Sequence, residues 1–175
     1  MARIDLPDGA ESEWERMWSL LAPATADAAN RFSDLIQSET ILPVPEQEAA
    51  RIRIAHINGC EPCSDARIAD MAAFGLDDAF YRDVDDPALR DGYSPRVRLA
   101  IGFAERFAAG KQAFDDAFWA ELRRAFSDAE IADLTASCAK WLGLGRINAV
   151  LGLSVACPIT IAPSRHARPK DAADA

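Results

Sequence analysis

Apolar residues recur at three- and four-residue intervals along almost the whole chain, and this helical period constrains the fold more than any other feature. Trp14, Met17, Trp18 and Leu21 fall on one stripe. A second helix follows Pro23 and carries Ala28, Phe32, Leu35 and Ile36. Ile41-Leu-Pro-Val-Pro45 interrupts it, because two prolines remove backbone donors and bias their predecessors toward extended backbone. From about Glu46 to Ile57 a third helix holds Ile52, Ile54, Ala55 and Ile57 with little polar relief, so it is expected to be deeply buried.

Asn58-Gly59 is a breaker, and a helix is expected from Cys60 through Ile68, Met71 and Ala72 to Phe74, with Gly75 as its left-handed stop. Pro62 sits in its first turn, where a missing N–H costs nothing. Asp77 to Asp91 reads as a short helix and an exposed loop. Ser94-Pro95 opens a further helix that ends at Gly110, and Asp115 or Asp116 caps another bearing Phe118, Trp119, Leu122 and Phe126. Ser127-Asp-Ala-Glu130 is a capping box for a long helix through Ile131, Leu134, Cys138, Trp141 and Leu142. Within it Gly143 and Gly145 either bend the axis or admit a close neighbour. Only Ile159 to Ile161 competes as strand, and from Pro163 the chain reads as a loose polar tail. With 175 residues, half of them hydrophobic, the expectation is one all-α domain over 1–175 with its core at about 43–153.

Charge and terminal pattern narrow the function classes. A net charge of −9 and a pI near 4.7 argue against a nucleic-acid binder, which would carry a basic stripe. No apolar run reaches the ~20 residues of a membrane span. The first residues lack a basic stretch followed by an apolar one, so no secretory signal is expected and a cytoplasmic location is.

Cys60 and Cys63 form a CxxC pair, which serves as half a zinc site, as a redox dithiol, or as nothing. Structural zinc needs four ligands, and Cys138, Cys157, His56 and His166 provide no second pair at ligand spacing, so a metal is disfavoured. A dithiol fits better. Cys63 in the first turn of a helix meets unpaired N–H groups that favour thiolate, opposed by Glu61 and assisted by Arg67. Glu48, twelve positions before Cys60, either touches the thiol chemistry or is simply solvated or paired with Arg51. His56, four before Cys60, either touches that chemistry or is a satisfied core imidazole. Cys138 and Cys157 read as packing residues, and the four tryptophans as core or interface. Gly143-Leu-Gly145 is no dinucleotide fingerprint and the aspartates of 77–91 lack calcium-loop spacing, so no cofactor is expected.

The run from Ala49 to Arg67, with its Asn-Gly-Cys-Glu-Pro-Cys turn and Glu48 just before it, resembles the core of the carboxymuconolactone decarboxylase superfamily in its alkylhydroperoxidase D-like (AhpD-like) branch. Phe126 to Thr135 and the helix after it resemble the later part of such domains, so the likeness spans roughly Pro43 to Leu153. The resemblance implies an all-helical domain assembling as a trimer or hexamer and acting as a thiol peroxidase on a small hydroperoxide. It implies that Cys63 is the peroxidatic thiol, Cys60 the resolving thiol, and Glu48 the general base. A lipoyl-type dithiol or a thioredoxin-like protein would restore the pair. The family's histidine, four residues after the second cysteine, is replaced here by Arg67, which cannot shuttle a proton and would either lower the Cys63 pKa or pair with Glu48 or Asp70. His56 is the substitute relay. Two other readings stand beside this one: a decarboxylase-like lyase, expected to show a pocket of Arg and His far from the thiols, and a non-enzymatic stress-response oligomer.

Overall fold

A computed structural model describes residues 2–9, 11–20, 23–154 and 159–169; Leu21 and Cys157, both read from the sequence as packing residues, lie outside them. Among the described residues the helical periods become eight α-helices. α1 (Glu13–Trp18) starts at a capping box between Ser12 and Glu15. α2 (Pro23–Glu39) precedes the proline pair. α3 (Val44–Asn58) starts with Pro45 in its first turn and stops at Gly59, whose φ of 63° lets its N–H reach the Ala55 and His56 carbonyls.

α3 is the central element, packed against both α6 (Pro95–Ala109) and α8 (Asp128–Leu151). Ala50 and Ile54 face a core built with Ala100, Phe103, Leu122, Leu134 and Cys138; Ala49, Ile52 and Ala55 face another with Ile68, Tyr81, Val84, Val97 and Ile101. Between these two cores the charges Glu46, Glu48 and Arg51 of α3 are buried and pair inside, whereas Arg53 and His56 stay partly exposed and pair with Asp85. Arg96 donates to Glu46 (2.8 Å) and Glu130 (2.6 Å), and its guanidinium lies 4.1 Å from the Phe126 ring centre. Ser94, Asp115 and Ser127 cap α6, α7 (Asp116–Ala125) and α8 as their sequence positions predict. α8 runs unbroken past Gly143 and Gly145.

The helix expected over 60–74 is the main departure. α4 (Glu61–Asp65) is little more than one turn, followed by strand β1 (Arg67–Ile68) and a 3-10 turn (Met71–Phe74) closed by Gly75 at φ 73°. The cause is competition for carbonyls. The Arg51 guanidinium takes those of Cys63 (2.7 Å) and Ala66 (2.9 Å), and Arg67 takes those of Ser64 (2.8 Å) and Ala66 (3.0 Å). With those acceptors engaged, the Arg67 and Ala69 N–H groups donate instead to the Ile159 and Ile161 carbonyls, pairing β1 in parallel with β2 (Thr160–Ile161). α5 (Asp78–Asp83), capped by Asp77, and a second 3-10 turn (Pro87–Gly92) fill the acidic stretch as expected.

The segment read as a loose tail is tied down at its start. Ser164 is buried and donates to the Thr40 carbonyl (2.6 Å), while the Arg165 N–H donates to the Ser38 carbonyl. Among the described residues no helix is long and apolar enough to cross a membrane.

Candidate functional site

The CxxC turn is set by backbone geometry at the end of α3. Gly59 reverses the chain, the Cys60 N–H donates to the Ala55 carbonyl (3.1 Å), and the Ser64 N–H and hydroxyl both donate to the Cys60 carbonyl. Cys60 and Cys63 are joined as a disulfide with their Cα atoms 5.3 Å apart. The two sulfurs differ in surroundings. Cys60 is fully buried, 4.0 Å from the Asn148 amide nitrogen, whereas Cys63 is half-buried and lines a cavity of about 380 Å³.

Apolar walls of that cavity come from Trp14, Trp141, Leu144, Ile159 and Ile161, interspersed with polar residues from α2, α3, α8 and β2. Arg51 and Lys140 are its cations and Asp34 its anion, with Gln37 and Asn148 beside them. α8 approaches closely here because residue 145 has no side chain: a Cβ there would stand 2.9 Å from Asn58 Nδ2 and 3.7 Å from Cys63 Sγ. Asn58 in turn donates to the Trp141 carbonyl (3.1 Å) and accepts from Arg146 (3.1 Å), fastening the end of α3 to α8.

Of the residues singled out by sequence, the structure brings Cys63 to the cavity and places Cys60 behind it. Glu48 is wholly buried beneath, where it accepts from Arg51 Nε (2.8 Å), Arg51 Nη2 (2.9 Å) and the Tyr81 hydroxyl (2.9 Å). Its pairing with Arg51 is thus the observed one, and its link to the thiol turn runs through the guanidinium that holds the Cys63 and Ala66 carbonyls. His56 turns away from the cavity, its Nδ1 2.8 Å from an Asp85 carboxylate oxygen. Arg67 also lies off the cavity, 4.4 Å above the Tyr81 ring and 3.5 Å from Asp78, paired with neither Glu48 nor Asp70.

Tyr81, Lys140, Asn148 and Arg51 as an organiser of the turn are what sequence reasoning missed. Burial and the adjacent Glu48 push the Tyr81 hydroxyl pKa above its ordinary value, which keeps it a donor. Lys140 carried a signal: it is the single charged residue between Asp133 and Arg146, on an otherwise apolar and small-residue stretch of α8. Loss of hydration lowers its pKa to about 8, with Arg51 adding repulsion and Glu48 and Asp34 opposing. Burial alone pushes the Cys138 thiol up, in keeping with a packing role.

The chain is thus an all-α domain whose central buried helix delivers a CxxC turn to a cavity. A solved structure from Agrobacterium tumefaciens, of a protein of unknown function described as a candidate antioxidant defence protein AhpD, matches with a TM-score of 0.67 over 90% of this chain and 99% of that one. The sequences are 20% identical, so the likeness establishes the AhpD-like fold. No family model and no curated protein matches the chain.

Proposed function

We propose that the protein is a CxxC-dependent thiol oxidoreductase that reduces small organic hydroperoxides. The observation that carries the reading is the asymmetry of the pair: Cys63 opens on a walled apolar cavity while Cys60, bonded to it, is sealed behind. Cys63 thiolate attacks the distal peroxide oxygen, the O–O bond breaks, and an alcohol leaves as the sulfenic acid forms. The Cys60 sulfur then displaces water from that sulfenic acid, giving the intramolecular disulfide. A lipoyl-type dithiol or a thioredoxin-like protein returns both thiols by exchange, in the reducing cytoplasm. Glu48 acts as a positioning residue through Arg51.

The competing lyase reading requires an Arg and His pocket distant from the sulfurs. The cavity has Arg51 but no histidine among its described lining residues, and it contains Cys63.

The test is turnover of tert-butyl hydroperoxide with dihydrolipoamide as reductant, alongside thiol counting before and after peroxide. Wild-type protein is expected to lose two thiols on oxidation and regain them on reduction. Cys63→Ser should abolish turnover, and Cys60→Ser should leave a trappable sulfenic acid. Unchanged turnover in Cys63→Ser would overturn the reading.

A further inference from the structure

We propose that Lys140 is the acid–base residue of this thiol site, holding the proton that passes from the Cys63 sulfur to the departing peroxide oxygen; the inference rests on the peroxidase reading above. The argument is one of position. The reaction removes a proton from sulfur and delivers one to an alkoxide, so some group beside Cys63 has to accept and release it. Glu48 has both oxygens engaged by Arg51 and Tyr81 beneath the cavity, and neither His56 nor Arg67 lines it. Arg51 does line it, but a guanidinium stays protonated. Asp34, on the exposed side of α2, is the anion at the rim.

Lys140 is what remains. It projects from α8 into the same cavity as Cys63, one residue before the wall-forming Trp141 and five before Gly145, where α8 comes within contact of the sulfur. Among the described residues it is paired with no carboxylate. The charged and titratable groups facing it are Asp34 from α2, Glu48 and Arg51 from α3, and Cys63 from α4. Burial between them leaves the ammonium ready to release a proton near pH 8, close to where a working acid–base group is most effective.

The cycle balances. Neutral Lys140 takes the Cys63 proton, giving thiolate and ammonium. The thiolate forms a bond to the distal peroxide oxygen, which keeps its hydrogen and becomes the sulfenic hydroxyl. The O–O pair leaves with the proximal oxygen, and the ammonium protonates it to the alcohol, returning Lys140 to its starting state.

Two variants and two readouts test this. Lys140→Met removes the proton carrier, and Lys140→Arg keeps the cation but not its ability to release a proton. The readouts are tert-butyl hydroperoxide turnover and iodoacetamide labelling of reduced Cys63, each followed from pH 5.5 to 10, with thermal melts confirming folded protein. Wild-type turnover should rise toward about pH 8, as neutral Lys140 becomes available to take the thiol proton, and fall at higher pH, once thiol and ammonium have both lost their protons and none is left for the alkoxide. Both variants should turn over about a hundredfold more slowly at neutral pH and lose that alkaline limb. Lys140→Met should also move the labelling midpoint upward, whereas Lys140→Arg should not. If Cys63→Ser abolishes turnover but both lysine variants keep the wild-type rate and pH profile, the role of Lys140 is overturned and the peroxidase reading stands. If wild-type protein has no hydroperoxide turnover, the peroxidase reading falls and the proton-transfer role falls with it.

Discussion

Glu48 and Arg51 sit three positions apart on α3 with essentially no access to water, and each satisfies the other twice over. Such a pair adds little against an apolar replacement, but losing one partner strands a buried charge at about 3–5 kcal/mol. Glu48→Gln is therefore expected to lower unfolding free energy by roughly 3 kcal/mol in urea titrations. It should also loosen the thiol turn, since Arg51 loses the carboxylate that orients it toward the Cys63 and Ala66 carbonyls. Faster alkylation of reduced Cys63 in that variant would report the loosening; an unchanged unfolding midpoint would contradict it. The i, i+3 spacing made the ion pair legible from the sequence, and the CxxC pair was legible from its own spacing and turn. Tyr81 was not, because no local period ties a residue on α5 to a carboxylate on α3. His56 and Arg67 were placed by their distance along the chain from the cysteines, and that distance says nothing about which way a side chain turns.

At the scale of elements, the fit of α8 against the α3–α4 junction depends on one missing methyl group. Gly145→Ala adds a Cβ too near Asn58, whose amide is already committed to the Trp141 carbonyl. The gain of about 1 kcal/mol in helix propensity is outweighed by an overpacking cost of about 1–3 kcal/mol. A lower melting temperature is expected for this variant. Gly143→Ala meets nothing within 4 Å and is exposed, so propensity acts alone and the melting temperature should rise. Equal effects of the two substitutions would contradict the close approach. Helix ends were the most legible elements, since Ser94, Asp115 and Ser127 act through local hydrogen bonds. Residues 66–69 misled because their backbone partners are long-range: an arginine on α3 and a strand near the other end of the chain decide their conformation.

For the molecule as a whole, acid is expected to act through carboxylates that clamp elements together. Burial raises the pKa of Glu105, but hydrogen bonds from Arg90 and Arg53 outweigh it; for Glu130 the Ser127 N–H and Arg96 do the same, and both end below the ordinary 4.5. A lowered folded-state pKa means stability that is present above the unfolded value and lost as pH falls through the folded one. The urea midpoint should hold down to about pH 4.5 and then decline, less steeply in Glu105→Gln. Self-association is the second expectation at this scale. Val150 is 61% and Ile159 41% exposed, and sedimentation should find more than the 19.0 kDa of one chain at micromolar concentration. The parallel β1–β2 pairing has a further consequence for how the protein is made. Ile159 to Ala162 close one wall of the Cys63 cavity, yet a ribosome delivers Cys63 long before it delivers that wall. During synthesis the CxxC turn is therefore complete along the chain well before the strand that walls Cys63 has been made.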